Sequence, residues 1–261
     1  MKISEVSFRY SCLCGRGKIR KNNEDNFYLN GEIMTDENQM IISSDPSSKN
    51  FINSEFFAVF DGMGGGDFGE IASMTCAEYT RGFFSNAGNI ISSDVTPSLQ
   101  DYCAGMNEAV FSKGEQLRTH MFGSTVAGVY LFNGQMWFVN VGDSRAYLVR
   151  DSKMMQVSTD HVDRDDYQMK KNYKPPLLQH MGMDPEEIRL EPSIARYEIA
   201  SNDRILLCSD GLTDMVDAAR IETIILGAAD MGEATKTLYD AAMSSGGIDN
   251  ITIILIELTE N

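Results

Sequence analysis

Five aspartates and one glutamate stand next to stretches that are predicted to be buried strands. The clearest case is the uninterrupted apolar run 56–60, which is followed directly by Asp61 and Gly62. Such a run is typical of a strand that is buried on both faces. A carboxylate at its end costs desolvation energy unless something compensates the charge, and a divalent cation is the strongest candidate. Gly62 would let the backbone approach such a cation closely enough for its carbonyl to be a second ligand.

The same arrangement recurs along the chain. The apolar runs 137–141 and 204–208 lead into Asp143 and Asp210, whereas Glu24-Asp25 and Asp249 precede the runs 27–29 and 251–256. If these two kinds of strand run antiparallel, all six acids meet at one edge. Six like charges share a site only together with cations. A single Asp-Gly pair usually marks a turn, but this many coordinated acids favour a metal site.

A basic loop, 15–22, precedes the first of these acids. Within it, Arg20 is placed to present its guanidinium group to two oxygens of a phosphate that is held over the metal ions. A surface ion pair between Arg20 and Glu24 is equally compatible with the spacing.

The composition limits the other classes of function. The 261 residues are 43% hydrophobic, which is enough for a sizeable core, and the formal net charge is −16. This charge argues against nucleic acid as a partner. No signal segment and no membrane span of roughly 18 apolar residues is visible. We therefore expect a cytoplasmic monomer without a membrane partner.

The cysteines give no sign of a metal or disulfide framework. Their number is odd, and no pair has the spacing of a zinc or redox motif. We expect free, mostly buried thiols in a reducing compartment. The cysteines are Cys12, Cys14, Cys76, Cys103 and Cys208.

The apolar periodicity predicts strands, two helices, strands, two helices and a final strand. The predicted helices are 68–84, 95–117, 218–226 and 232–244, and the predicted strands are 6–12, 27–29, 56–60, 124–132, 135–141, 145–149, 154–157, 195–199, 204–208 and 251–256. We expect Ile71, Thr75 and Tyr79 to share one side of the first helix. Asn133-Gly134 predicts a tight hairpin. We expect a hairpin or a surface excursion at 31–54, and an irregular, proline-containing excursion with at most one short helix at 162–192.

This order predicts an α+β fold. Its architecture would be a four-layer α-β-β-α sandwich, in which two antiparallel sheets are flanked by helices. No linker is visible, so we expect a single domain over 1–261.

Eight short motifs stand in the order found in the type 2C metal-dependent serine/threonine phosphatases, and the bacterial branch of that family resembles the chain most. The motifs are Arg20-x-x-Asn23-Glu24-Asp25, the segment 57–65, Gly69-Glu70-x-Ala72-Ser73, Gly123-Ser124-Thr125, the segment 140–146, Asp160-His161, Ser209-Asp210-Gly211-Leu212 and Asp249-Asn250-Ile251-Thr252. They span residues 20–252. Any one of them is weak, but eight in order are highly specific.

The resemblance implies two, or with a weaker site three, Mg²⁺ or Mn²⁺ ions. Carried over by position, Asp61 bridges two ions. Asp210 and Asp249 complete the ligands of one of them. The Gly62 carbonyl and either Glu24 or Asp25 would serve the other ion, while Asp143 and Asp210 resemble the third position. Arg20 resembles the phosphate-binding arginine. The reaction implied is attack of a metal-activated water on phosphoproteins made by a serine/threonine kinase.

The chain departs from this family in two places. Met63 stands where animal relatives have a histidine that is the probable general acid, and Gly66 stands where bacterial relatives often have one. A water or, as a weaker candidate, His180 would have to protonate the leaving group. The excursion 162–192 corresponds to the flap beside the active site, but its motif is only loosely matched at 179–182.

Two other functions, dinucleotide binding and a phosphatase fold without activity, are alternatives for this sequence. Gly64-x-Gly66-x-x-Gly69 formally matches a dinucleotide-binding fingerprint, but the predicted order lacks the parallel βαβ unit and Asp61 would repel a pyrophosphate. A pseudophosphatase that keeps the fold as a binding module would be expected to have lost at least one of Asp61, Asp210 and Asp249. All three are present, which favours an enzyme.

Overall fold

The structure is a computed structural model that describes residues 6–35, 41–44, 50–51, 54–64, 68–85, 95–119, 121–163 and 174–260. Gly66 and His120 lie outside these ranges. The helices in the described part are α1 (Gly69–Ser85), α2 (Val95–Leu117), α3 (Asp210–Thr213), α4 (Ala218–Gly227) and α5 (Met231–Ser244). None of them is both long enough and apolar enough to cross a membrane.

The strands of the described residues form two antiparallel sheets. The strands are β1 (Val6–Gly15), β2 (Asp25–Leu29), β3 (Glu32–Ile33), β4 (Ile41–Ser44), β5 (Asn50–Phe51), β6 (Ser54–Met63), β7 (Gly123–Ser124), β8 (Val126–Phe132), β9 (Gln135–Val141), β10 (Arg145–Arg150), β11 (Lys153–Gln156), β12 (Ser193–Glu198), β13 (Arg204–Cys208) and β14 (Ile251–Glu260). The first sheet has the order β11-β10-β13-β14-β1-β4, with β5 also on β1. The second has the order β12-β9-β8-β6-β2-β3, with β7 on β6.

Three apolar clusters separate four layers. Phe57 and Val59 of β6 point between the sheets and pack in the central cluster. Phe56 and Phe60, one residue out of phase, face α1 and α2 in a second cluster. A third cluster joins the first sheet to α4 and α5. Because a strand alternates its side chains between two faces, the uninterrupted apolar run of β6 serves two cores. The predicted four-layer sandwich is confirmed.

The predicted elements are present, with corrections at their faces and edges. The side of α1 that is fully buried contains Ala72, Cys76 and Thr80, while Ile71 and Tyr79 are only partly buried. The small residues face inward because α1 packs closely on β6 and β2. The excursion predicted at 31–54 includes β4 and β5, which pair with the edge of the first sheet.

Other local predictions are confirmed. The Asn133-Gly134 hairpin joins β8 to β9, and both residues have the positive φ that such a turn requires. All five cysteines are free and buried. The one-turn helix α3 was not predicted, and it begins at the candidate ligand Asp210.

The chain order brings several strand ends to one edge of the sandwich. β1 ends at Gly15 opposite Ile251, where β14 begins, and Cys208 at the end of β13 faces Ile253. In the second sheet, Asp25 at the start of β2 is paired with Asp61 near the end of β6. The antiparallel pairing therefore places acids that end strands beside acids that precede strands.

Candidate metal centre

The structure brings all six predicted carboxylates to this edge. Five of them line one cleft of about 980 Å³, namely Glu24, Asp61, Asp143, Asp210 and Asp249. The sixth, Asp25, is buried and lies opposite Asp61 in the β2–β6 register. Arg20 and the backbone of Gly62 line the same cleft.

Asp25 forms the floor of the cluster. Its Oδ2 accepts hydrogen bonds from Ser209 Oγ at 2.8 Å and from Thr252 Oγ1 at 2.7 Å. Its Oδ1 is buried and has no hydrogen-bond partner among the described residues. Burial, together with the charges of Asp249 and Glu24, raises the pKa of Asp25 to about 7, although the two hydroxyl groups oppose this shift. A cation beside this carboxylate would favour its ionised form and so lower the pKa again.

Asp61 is held by Thr125, which lies between β7 and β8. Its N–H donates to Thr125 Oγ1 at 3.1 Å, and its carbonyl accepts from the Thr125 N–H at 2.9 Å. Burial raises the pKa of Asp61 well above its ordinary value, and the charges of Asp25, Asp143 and Asp249 add to this effect. The carboxyl group is therefore in a place where its ionised form requires positive charge.

Gly62 is fixed between two backbone segments. Its N–H donates to the Glu24 carbonyl at 3.0 Å. A Cβ at this position would clash with the Gly69 carbonyl oxygen and lie 2.6 Å from the Glu24 carbonyl oxygen. Glycine is required here because the backbones at Glu24, Gly62 and the start of α1 approach so closely.

Asn250 connects the basic loop to the acidic cluster. Its side-chain amide donates to the Arg16 and Asn22 carbonyls, both at 2.9 Å, and its Oδ1 accepts from the Glu24 N–H at 2.8 Å. Arg20, within this loop, donates to Asp249 Oδ2 at 2.7 Å, whereas its nearest distance to Glu24 is 3.9 Å. The main ion pair of Arg20 is thus with Asp249. The surface ion pair with Glu24, which the sequence also allowed, is at most a weak one.

Asp143 follows a turn that His161 stabilises. The Gly142 N–H donates to His161 Nδ1 at 3.1 Å, and the His161 N–H donates to the Gly142 carbonyl at 2.9 Å. Because Nδ1 accepts, His161 is neutral, and burial lowers its pKa. Gly142 has a φ of +102°, and a Cβ there would clash with the side chain of Thr125. His161 thus orients the loop at Asp143 by hydrogen bonding.

Lys174 lies among the carboxylates, which the sequence did not predict. Its Nζ contacts Asp210 Oδ2 and lies 3.2 Å from Asp143 Oδ2 and 3.8 Å from Asp214 Oδ2. Two further residues that the sequence-based prediction missed are Asp214, beside this lysine, and Asn250, whose only signal was its place after Asp249. The sequence Lys174-Pro175-Pro176 predicts an extended backbone at the lysine, but it does not indicate which groups the side chain contacts.

The donor set fits Mg²⁺ or Mn²⁺. All of the candidate ligands are oxygens, which hard cations prefer, and Asp25 Oδ1 and Asp210 Oδ1 are buried oxygens without a hydrogen-bond partner in the described part of the chain. Within that part, no three His, Cys, Asp or Glu side chains are already arranged around one point. Arg20 and Lys174 engage Asp249 and Asp210 in ion pairs, so Asp249 would have to turn away from Arg20 to bind an ion.

Comparison with known proteins agrees with this geometry. The family model described as Protein phosphatase 2C matches residues 19–166, which is more than half of the chain. The chain belongs to the protein phosphatase 2C family. The resemblance that the sequence motifs indicated is confirmed.

Relatives of this protein phosphatase 2C chain match it over almost its full length. "Serine/threonine phosphatase stp" of Listeria innocua is 28% identical and covers 93% of the chain and 92% of its own length. "Protein phosphatase PhpP" of Streptococcus pneumoniae is 26% identical, with 96% and 97% covered. "Serine/threonine protein phosphatase PstP" of Mycobacterium tuberculosis is 26% identical over 97% of the chain, which corresponds to 45% of that relative.

Solved structures show the same protein phosphatase 2C fold. The catalytic domain of PstP, in complex with two manganese ions, has a TM-score of 0.75 at 24% identity and covers 98% of this chain and all of that domain. The serine/threonine phosphatase of S. agalactiae has a TM-score of 0.78 at 22% identity, with 95% and 98% covered. Both similarities cover more of the chain than the family model and therefore extend beyond the matched residues 19–166.

Proposed function

We propose that this chain hydrolyses phosphoserine and phosphothreonine in proteins with two Mn²⁺ or Mg²⁺ ions bound at the acidic edge. The observation that carries the proposal is the convergence of the six carboxylates at one cleft that Arg20 also lines. The names of the relatives and the two manganese ions of the PstP domain support it. The pairing of β1 with β14 over ten positions supports a single phosphatase domain over the whole chain.

The roles of the residues follow from where they lie. Asp61, Asp210, Asp249, Glu24 and the Gly62 carbonyl line the cleft and would hold the ions, and Asp25 adds negative charge beneath them. When bound, such ions supply an activated water and neutralise the charge that develops on the phosphoryl group.

Among the described residues, the cleft offers no hydroxyl or thiol that is free to act as a nucleophile, and its carboxylates are the proposed ligands of the ions. Thr125 lines the cleft with a hydroxyl group. Its Oγ1 accepts a hydrogen bond from the Asp61 N–H and lies 2.6 Å from Ser144 Oγ. The five thiols are buried. Direct attack by water is therefore the reaction that these residues support.

Arg20 is the candidate for phosphate binding. Its side chain is 46% exposed at the edge of the cleft, and its guanidinium already bonds a carboxylate oxygen of Asp249. A phosphate offers the same paired oxygens with a larger charge, so the guanidinium can exchange Asp249 for the substrate. That exchange would also release the Asp249 carboxylate to hold an ion.

Three phosphopeptides of identical sequence, carrying phosphoserine, phosphothreonine or phosphotyrosine, test the proposal. With Mn²⁺ present, we expect release of phosphate from the first two, no release with EDTA, and a loss of at least about 100-fold in Asp61→Asn. Asp240→Asn, an exposed acid on α5, is the matched control and should keep the wild-type rate.

A pseudophosphatase is the alternative from another class. It predicts phosphopeptide binding without release of phosphate, or equal slow rates in wild type and Asp61→Asn. Either result in folded, manganese-loaded protein would reject the enzymatic proposal.

A further inference from the structure

Two buried carboxylates at the cleft share a single ammonium group. The side chains of Asp143 and Asp210 are 10% and 6% exposed, and Lys174 Nζ contacts both. Two adjacent buried charges of the same sign repel each other strongly unless a cation lies between them. A third, half-exposed carboxylate, Asp214, lies 3.8 Å from the same nitrogen. The ammonium therefore occupies the point where three negative groups converge.

The backbone delivers Lys174 to this point. The His161 N–H donates to the Gly142 carbonyl, and the Leu178 N–H donates to the His161 carbonyl at 2.8 Å. The Asp163 N–H donates to the Pro176 carbonyl at 3.0 Å, and Val162 and Leu177 form a β-bridge. These bonds connect the turn at Asp143 to the segment that follows Lys174. The Pro175-Pro176 pair further limits the conformations of the lysine backbone.

The two oxygens of Asp210 are used differently. Oδ2 contacts Lys174, while Oδ1 is buried without a hydrogen-bond partner in the described residues. Oδ1 thus stays available to an ion that Asp61 also holds. Asp143 has no such role in the proposed pair of ions, so its charge is left to be compensated by the lysine.

We propose that the ammonium group of Lys174 takes the place of a third divalent ion between Asp143 and Asp210. The proposal rests on the function proposed above. Of the two or three ions that the family resemblance implies, it predicts that two bind. Lys174 is then a positioning residue, because it holds the Asp210 carboxylate in place while the other oxygen binds an ion.

A tethered cation differs from a third ion in a measurable way. It is part of the chain, so it is not lost on dilution or by chelation. A lysine side chain ordinarily titrates at about pH 10.4 and is therefore a cation at neutral pH, which suits compensation of charge better than donation of a proton.

Counting bound Mn²⁺ by equilibrium dialysis and elemental analysis tests the inference. At a free Mn²⁺ concentration that saturates wild type, we expect two ions per chain in wild type and in Lys174→Arg, which keeps the charge. Lys174→Met removes the charge at similar length, and we expect three ions. The double variant Lys174→Met with Asp143→Asn should return to two, because the added ion needs the Asp143 carboxylate.

The outcomes separate this inference from the proposed function. Three ions in active wild type, or only two in folded Lys174→Met, would overturn the role of Lys174 and leave the phosphatase proposal standing. Fewer than two ions in wild type would overturn both. Circular dichroism and thermal unfolding establish that each variant is folded before its ions are counted.

Discussion

At the scale of single residues, the positions of the acids in the metal centre depend on hydrogen bonds to the backbone around them. Glu24 and Gly62 are joined through backbone atoms, and Asn250 fixes Glu24 from the other side. Thr125 fixes Asp61 in the same way. Because these bonds pair the backbone N–H groups of Glu24, Asp61 and Gly62, the segments that carry the acids can be held close together.

Gly62→Ala tests this dependence. The added Cβ would clash with the Gly69 carbonyl, so the start of α1 or the loop at Glu24 must shift. We expect a loss of about 1–3 kcal/mol in the free energy of unfolding, and weaker Mn²⁺ binding by titration calorimetry.

Gly82→Ala is the matched control for this prediction. Gly82 lies in α1 with nothing within 4 Å of the position of its Cβ, so alanine there should stabilise the helix by about 0.5–1 kcal/mol. If Gly62→Ala bound Mn²⁺ as tightly as Gly82→Ala, close backbone approach at Gly62 would not be a requirement of the site.

The acids were predictable from sequence and the lysine was not, for a physical reason. An acid at the end of an apolar run is a local pattern, and antiparallel pairing converts it into a shared location. Lys174 is placed beside Asp143 by backbone hydrogen bonds of the residues that follow it, from Leu178 to His161 and from Asp163 to Pro176. No local pattern encodes such contacts, because each of those bonds joins segments that are distant in sequence.

At the scale of elements, the buried side-chain amide of Asn107 is one of the groups that attach the described part of the flap, residues 174–192, to the rest of the molecule. Asn107 of α2 accepts hydrogen bonds from the Gly182 and Met183 N–H groups at 2.9 and 3.0 Å and donates to the Met183 carbonyl at 2.8 Å. The neighbouring Met181 pairs with Ser124, whose hydroxyl donates to the Asp61 carbonyl at 3.1 Å. The helix therefore positions the flap relative to a candidate metal ligand.

Asn107→Ala should loosen the flap. The variant leaves two N–H groups and one carbonyl without their partner, at a cost of about 1–3 kcal/mol for each group that stays buried. We expect faster proteolysis within 174–192 and a higher KM for a phosphopeptide. Glu108→Ala, at an exposed position of the same helix, is the matched control and should change neither the proteolysis nor the KM.

An unchanged cleavage rate and KM in Asn107→Ala would contradict this attachment. The prediction is specific to the element, since Asn107 does not contact any of the six carboxylates. Its role was not predicted because a buried amide is recognised only once its partners are known.

At the scale of the whole molecule, the layer order followed from the sequence and the pairing of strands did not. Uninterrupted apolar runs separated by amphipathic helices indicate two covered sheets. The register of β1 with β14 joins the two ends of the chain, and the edge strands β4 and β5 lie in a polar segment. The register of two strands depends on which faces of both are buried together, and for strands that are distant in sequence this information is not local.

The assembled sandwich confines negative charge at one edge, and its stability should therefore depend on pH and on divalent ions. Asp25 has a pKa of about 7 in the folded chain, against about 3.9 in an unfolded chain. A raised carboxyl pKa means that the folded state binds more protons. The stability that this group contributes is thus complete below about pH 4 and is lost as the pH rises towards 7. His161 and His180, whose pKa values burial lowers, act in the opposite direction.

Comparison with Asp25→Asn isolates the carboxyl group, because both proteins contain the same histidines. In EDTA, the free energy of unfolding of wild type relative to Asp25→Asn should fall by up to about 1.4 kcal/mol per pH unit between pH 5 and 7, as measured by urea unfolding. With saturating Mn²⁺ the fall should be reduced or reversed in wild type, since ions compete with protons for carboxylates. A difference that rises with pH in EDTA would show that Asp25 is ionised in the folded chain without an ion, and that the hydroxyl groups of Ser209 and Thr252 suffice to compensate its charge.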